Sequence, residues 1–165
     1  MSDEHRPLQA VALQWGVKQS FRNYVEAAGG VIAVRDGADR TAEGEFTFTP
    51  GPGEGLSFDE TGRPMGVGRF QGLVQFDAHG GMLAVCLADP VLEIGASEAA
   101  ITVADSPART RRIAVAHLDL PQMTMDASGE IVIPAALSMD GIQWLGDHYP
   151  LKTPLDPVRL IVRRP

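Results

Sequence analysis

The sequence has a single cysteine, Cys86, in 165 residues, which excludes an internal disulfide and leaves no second thiol for a zinc centre. Cys86 lies in the apolar run Met82-Leu83-Ala84-Val85-Cys86-Leu87 and reads as a small buried hydrophobe, not a nucleophile. No stretch approaches the ~20 apolar residues of a membrane span. The opening Met1-Ser-Asp-Glu-His-Arg-Pro7 is acidic and lacks the apolar segment of a secretory signal. A soluble, cytoplasmic protein is the expectation. Basic charge is also short: 14 Lys and Arg stand against 21 Asp and Glu, a net charge of −7. A nucleic acid or an anionic membrane surface calls for the opposite balance. The basic trio Arg109, Arg111 and Arg112 reads as a solvated edge, not a phosphate cradle.

Familiar catalytic motifs are missing too. His5, His79, His117 and His148 form no HxH or HExxH spacing, so a zinc enzyme is not indicated. There is no GxSxG elbow, P-loop or GxGxxG between a strand and a helix, and Gly66-Val-Gly68 reads as a flexible turn. Asp105 and Asp119 suggest no carboxylate pair.

What is present suits one domain spanning residues 1–165, with residues 1–7 expected to be flexible. Hydrophobic residues make up 44% and charged residues 21%, as in soluble globular proteins. Gly 18 and Pro 12 imply many turns between short strands and argue against a helical bundle. One helix is expected within Leu8–Ala28, where Val17, Phe21, Val25 and Ala28 recur at helical spacing before Gly29-Gly30. Strands are expected at Val31–Val34, Glu45–Thr49, Arg69–Asp77, Met82–Leu87, Val91–Ile94, Ala100–Ala104, Arg111–Leu118 and Val158–Val162. Glu130–Pro134 is weaker, since its proline suits an edge or a bulge, and Met139–Trp144 reads as a short helical turn. The expected fold is mostly β: a sandwich or barrel of about nine or ten short antiparallel strands with one N-terminal helix.

Three residues stand out chemically. Ser20 and Tyr24 are four residues apart on the helix, so both hydroxyls share a face bordering the apolar stripe. An apolar ligand with a polar centre could rest there. Alternatively, Tyr24 is an amphipathic packing residue with a wet tip. His79 sits at a hairpin tip beside Gly80 and Gly81, where little bulk hinders approach to its imidazole. Strict alternation puts it on the face of Gln75 and Asp77, not that of Phe76, unless a bulge or turn intervenes.

The string Leu13-Gln-Trp15-Gly-Val-Lys18-Gln-Ser20-Phe21-Arg22-Asn-Tyr24-Val25 resembles the opening of the HtaA family of bacterial haem-binding domains. Phe76-Asp-Ala-His79-Gly80-Gly81 resembles that family's histidine-bearing hairpin, and Ala88-Asp89-Pro90 the step after its return strand. Leu145-Gly146-Asp-His148-Tyr149 and Leu155-Asp156-Pro157-Val158 resemble its closing landmarks, so the likeness runs through nearly the whole chain. The resemblance implies a β-rich domain holding one ferric haem b. It implies Tyr24 as the iron ligand, Ser20 beside the haem, and His79 hydrogen-bonded to the tyrosine oxygen. His148 stands where the family commonly has an aromatic residue, so it is either a second nitrogen at the pocket or a surface residue. Members are usually secreted or anchored at the cell surface, unlike the expectation here.

The chemistry agrees with that assignment. A free phenol is protonated at neutral pH, and ferric iron draws its phenolate form into the physiological range, as metals do for bound water. A hard phenolate suits ferric haem and disfavours the ferrous state, which fits carriage, storage or sensing of oxidised haem. The implied partners are haem and another haem protein as donor or acceptor. Two other classes stay open: a cytosolic enzyme on the same fold, since fold does not fix function, and a partner-binding β domain with Tyr24 simply packed.

Overall fold

The computed structural model describes residues 8–164; the expectations for residues 1–7, His5 included, lie outside them. Among the described residues the chain forms thirteen strands and two α-helices. In order these are β1 Gln9–Trp15, α1 Gln19–Ala27, β2 Val31–Arg35, β3 Asp39–Arg40, β4 Phe46–Pro50 and β5 Ser57–Phe58. There follow β6 Pro64–Gln71, β7 Leu73–Ala78, β8 Leu83–Ile94, β9 Ala99–Ala104, β10 Arg112–Leu118 and β11 Thr124–Met125. The chain closes with β12 Ile131–Leu137, α2 Met139–Trp144 and β13 Pro154–Arg163.

Eight strands close a barrel in the order β8-β9-β10-β12-β13-β1-β4-β6, with β6 pairing back onto β8. Leu13, Trp15, Phe46, Phe48, Leu92, Ile101, Ile133, Val158 and Leu160 fill it and are essentially inaccessible. The mostly β expectation holds, with more strands than the nine or ten anticipated. The helix expected within Leu8–Ala28 is there, as Gln19–Ala27, but it starts later than Trp15, and Gln9–Trp15 before it is a barrel strand that was not anticipated. Leu13 and Trp15 both point inward from a strand that pairs with β13 on one side and β4 on the other. Val17 then adopts a left-handed φ of 64°, which ends the strand and turns the chain into α1. A stretch with an apolar residue at most positions satisfies either period, and tertiary pairing decides.

A flap rises from the barrel wall. The N-terminal half of β8 pairs with β7, from Ala78↔Leu83 to Leu73↔Ala88, while its C-terminal half pairs with β6. The ladder breaks at Asp89-Pro90, where Asp89 has φ 45°. On the opposite strand the break is Gly72 at φ 149°, where a Cβ would lie 2.7 Å from Ala38 Cβ. β6 and β7 are thus one run bent at Gly72, and β2 adds to the flap's outer edge through β7. Helix α1 packs on this flap: Phe21 meets Phe76 edge-on at 5.2 Å, and Phe76 meets Phe46 at 5.6 Å. Such ring pairs add to the area they bury.

Of the edge or bulge that Pro134 allowed, the structure has a bulge. β12 runs on to Leu137, with its register against β13 shifting between Ile133 and Ala135. Ser138 caps α2, accepting from the Gly141 N–H. Gly141 is needed for closeness, since a Cβ there would lie 2.2 Å from the Val115 carbonyl oxygen.

Candidate functional site

Helix α1 has no side-chain cap of its own. Its N-cap residue is Lys18, and the role falls to Asp156 on β13, whose Oδ1 accepts from the Gln19 N–H at 3.1 Å. A carboxylate there also suits the positive end of the helix dipole. The other oxygen, Oδ2, takes a 2.6 Å hydrogen bond from Arg22 Nη1, which also donates to the Gly16 carbonyl at 2.7 Å. The Trp15 indole donates to the Asp156 carbonyl at 2.8 Å, and the Asp156 N–H donates to the Val17 carbonyl. Arg22 is 4% exposed, so its charge is buried but paired and hydrogen-bonded, as burial requires. At the other end Gly30 lies against β7, where a Cβ would come within 2.3 Å of the Asp77 carbonyl oxygen.

Between these anchors Tyr24 projects from the helix and remains 42% exposed. Its Oη lies 2.6 Å from His79 Nε2. Either the phenol donates to a bare Nε2, or a protonated Nε2 donates to a phenolate. His79 reaches this place because it is no longer part of the strand. It takes φ 55° and opens a single 3-10 turn, His79–Gly81, with Gly80 at φ 65°. The alternation that assigned it to the Gln75 face stops at Ala78.

A second imidazole flanks the phenol. The His148 and Tyr24 rings are 6.4 Å apart at centroids, against 5.7 Å for His79 and Tyr24. His148 is exposed, and its ring stands beside the phenol. Gly146 (φ 90°) and Asp147 (φ 61°) turn the chain so that His148 folds back on Gly146, next to Leu83. Ser20 is exposed one helical turn before Tyr24. Met82, on the turn after His79, is 91% exposed.

The remaining candidate groups lie apart from this cluster. Cys86 is buried, which pushes its thiol up to about 11 and keeps it un-ionised. The three arginines are engaged within the chain, Arg109 with Asp36 and Asp89, Arg111 with Asp105, and Arg112 with the Asp89 and Thr102 carbonyls. His117 lines an open groove of about 650 Å³ across the outer face of β6, β8, β9 and β10. Among the described residues no three or more His, Cys, Asp and Glu side chains are grouped to hold a bare metal ion. No helix among them is long and apolar enough to cross a membrane. The roles of Asp156 and Arg22 were not legible from the sequence. Both stood inside the two landmark strings, but nothing linear says that the strings touch.

The class is therefore an antiparallel barrel with a flap-borne phenol–imidazole pair at its edge. The chain belongs to the HtaA family, whose model matches residues 10–161. Its fold is similar to that of the C-terminal domain of HtaA from Corynebacterium glutamicum, at 23% identity and TM-score 0.73, covering 96% of this chain and 99% of that one. The N-terminal domain of the same protein is similar at 23% identity and TM-score 0.67, with the same coverage. The heme-binding protein HtaB from that organism matches at 20% identity and TM-score 0.67, over 94% of this chain and 93% of that one. No curated protein sequence matches the chain.

Proposed function

We propose that this domain binds ferric haem b, with Tyr24 as the axial tyrosinate, and that it carries, stores or senses oxidised haem. The observation that carries this reading is the accessible Tyr24 oxygen held 2.6 Å from His79 Nε2. Membership of the HtaA family and likeness to the heme-binding HtaB support it.

The donor set fits the group. A phenol at an open edge leaves its oxygen free to approach a porphyrin metal, which a phenol sealed in aliphatic packing could not do. Bound haem supplies a ferric centre whose charge stabilises the phenolate. His79 accepts the phenol's proton as the oxygen takes up its ligand role, or donates to the phenolate and tempers its basicity, as partners behind a metal ligand do. Ser20, one helical turn before Tyr24, would lie beside the bound group. His79 is fixed by its turn and Tyr24 by two helix anchors, so the ligand is oriented before haem arrives, which lowers the ordering cost of binding.

Hemin titration tests the reading. The wild-type chain should show a saturable Soret change with a ferric high-spin, tyrosinate-like spectrum. Tyr24→Ala should lose most of it, and His79→Ala should weaken binding by about 10–100-fold, the usual cost of losing the partner behind a metal ligand. An identical titration curve for Tyr24→Ala would reject the ligand assignment.

A further inference from the structure

We propose that Asp156 and Arg22 are the positioning residues of the Tyr24 site, setting the axial register and tilt of α1 so that the phenol meets His79. The helix is pinned at two points. Its C-terminal end rests on β7 through Gly30, and β7 runs directly into the turn that bears His79. Its N-terminal end is held by a set of hydrogen bonds that converge on Asp156: the Gln19 N–H on Oδ1, Arg22 on Oδ2, and the Trp15 indole on the carbonyl. With a rise of about 1.5 Å per residue, Tyr24 lies roughly 7.5 Å along the axis from the capped end. Without the Asp156 carboxylate the start of the helix loses its cap and its Arg22 tie, and a pivot about Gly30 carries Tyr24 with it. A displacement of about 1 Å is enough to break the 2.6 Å hydrogen bond, because hydrogen bonds to oxygen end near 3.2 Å.

The arrangement is specific in shape as well as charge. A Cβ on Gly16 would lie 2.3 Å from Arg22 Nη1 and 2.5 Å from Asp156 Oδ2, so the pair occupies the space that a side chain at 16 would take. Lys18 adds a parallel tie to the same strand, donating to the Pro154 carbonyl at 3.0 Å while its ammonium sits 5.6 Å from the Tyr149 ring centre. First strand, helix start and last strand thus form one clasp, built from residues about 135 positions apart in sequence. Asp156 touches neither Tyr24 nor His79 and acts on them through the helix.

Only the haem arm of the test rests on the function proposed above. In the apo protein, nuclear Overhauser cross-peaks between the Tyr24 and His79 rings report the pairing directly. They should be present in the wild type and absent in Asp156→Ala, with far-UV circular dichroism unchanged. Hemin affinity should fall about 10–100-fold, the range for groups behind a metal ligand. Arg109→Ala serves as the control, because it breaks ion pairs to Asp36 and Asp89 of similar geometry away from α1; it should keep both the cross-peaks and the affinity. Should Asp156→Ala fail to fold, Arg22→Leu carries the same expectation, since leucine fills the buried space but donates to neither Gly16 nor Asp156. Tyr24–His79 cross-peaks that persist with wild-type affinity in a folded variant overturn the proposal, as does an equal weakening of both in Arg109→Ala. If the cross-peaks vanish in Asp156→Ala while no form of the protein, wild type included, binds hemin, the positioning role stands and the haem reading is rejected.

Discussion

Gly16→Ala is the smallest perturbation that should disturb both stability and site. The added methyl would stand 2.3 Å from Arg22 Nη1, 2.5 Å from Asp156 Oδ2 and 3.0 Å from Glu45 Cγ, too close for the neighbours to stay where they are. The side chains must separate, and the Arg22 side chain is only 5% exposed, with Asp156 at 20%. Removing one partner of a buried ion pair costs about 3–5 kcal/mol. Here both partners survive and Asp156 can turn toward water, so about 2.5–4 kcal/mol is the expected loss by the same reasoning. Alanine returns about 0.4–1 kcal/mol by restricting the unfolded chain, leaving a net loss of about 1.5–3.5 kcal/mol. At ~2–4 °C per kcal/mol for a chain of this size, Tm should drop by about 3–14 °C.

Urea unfolding with an unchanged m-value should give the same free-energy loss. A double-mutant cycle locates the cause: in an Arg22→Leu background the methyl displaces no guanidinium, so its cost should fall by more than half. A loss under about 1 kcal/mol in the wild-type background, or equal losses in both, would refute the clasp as the reason for glycine here.

Three further outcomes follow from the core and its one thiol. Phe76→Ala removes a fully buried ring that packs on both Phe21 and Phe46; it should cost about 3–5 kcal/mol in urea unfolding and loosen α1 from the flap. Trp144→Phe removes the indole bond to the Cys86 carbonyl and alters the stack on Trp15 at 6.5 Å; about 1–3 kcal/mol should be lost, with the orphaned carbonyl supplying much of it. Burial raises the Cys86 thiol from 9.0 to about 11, so the unfolded chain releases its proton at lower pH than the folded one does. The folded chain therefore keeps a proton that the unfolded chain has lost, and stability falls as pH rises through the interval between the two values. Unfolding followed at about pH 8 and about pH 10.5 should show this loss in the wild type but not in Cys86→Ala.

The barrel was legible because most of its strands carry local signatures. Phe46 and Phe48 alternate with threonines, and β9 reads as a nearly unbroken apolar run. Pro134 narrowed its strand to an edge or a bulge, and the pairing on both sides of β12 makes it a bulge. The helix was readable from Val17, Phe21, Val25 and Ala28, but the strand at residues 9–15 was not, because Ala10, Val11, Ala12, Leu13 and Trp15 are apolar at nearly every position and show no alternation. The joining of Met82–Leu87 and Val91–Ile94 into a single strand was hidden by Asp89-Pro90, which looks like a stop but is a bend. Tyr24 and His79 stand out individually in the sequence, while their meeting depends on a left-handed φ at His79 that no alternation rule anticipates. The Asp156–Arg22 clasp was least visible of all, since it is made between the two ends of the chain.

Resonance Raman spectroscopy of the ferric haem complex tests the central claim most directly, because phenolate bound to iron gives its own ring and iron–oxygen modes. The chain has two tyrosines, so Tyr24→Phe and Tyr149→Phe separate them completely. Tyrosinate modes that persist in Tyr149→Phe and vanish in Tyr24→Phe are the expected result. Modes that survive in Tyr24→Phe, or a wild-type complex that lacks them, would contradict the assignment of the iron ligand.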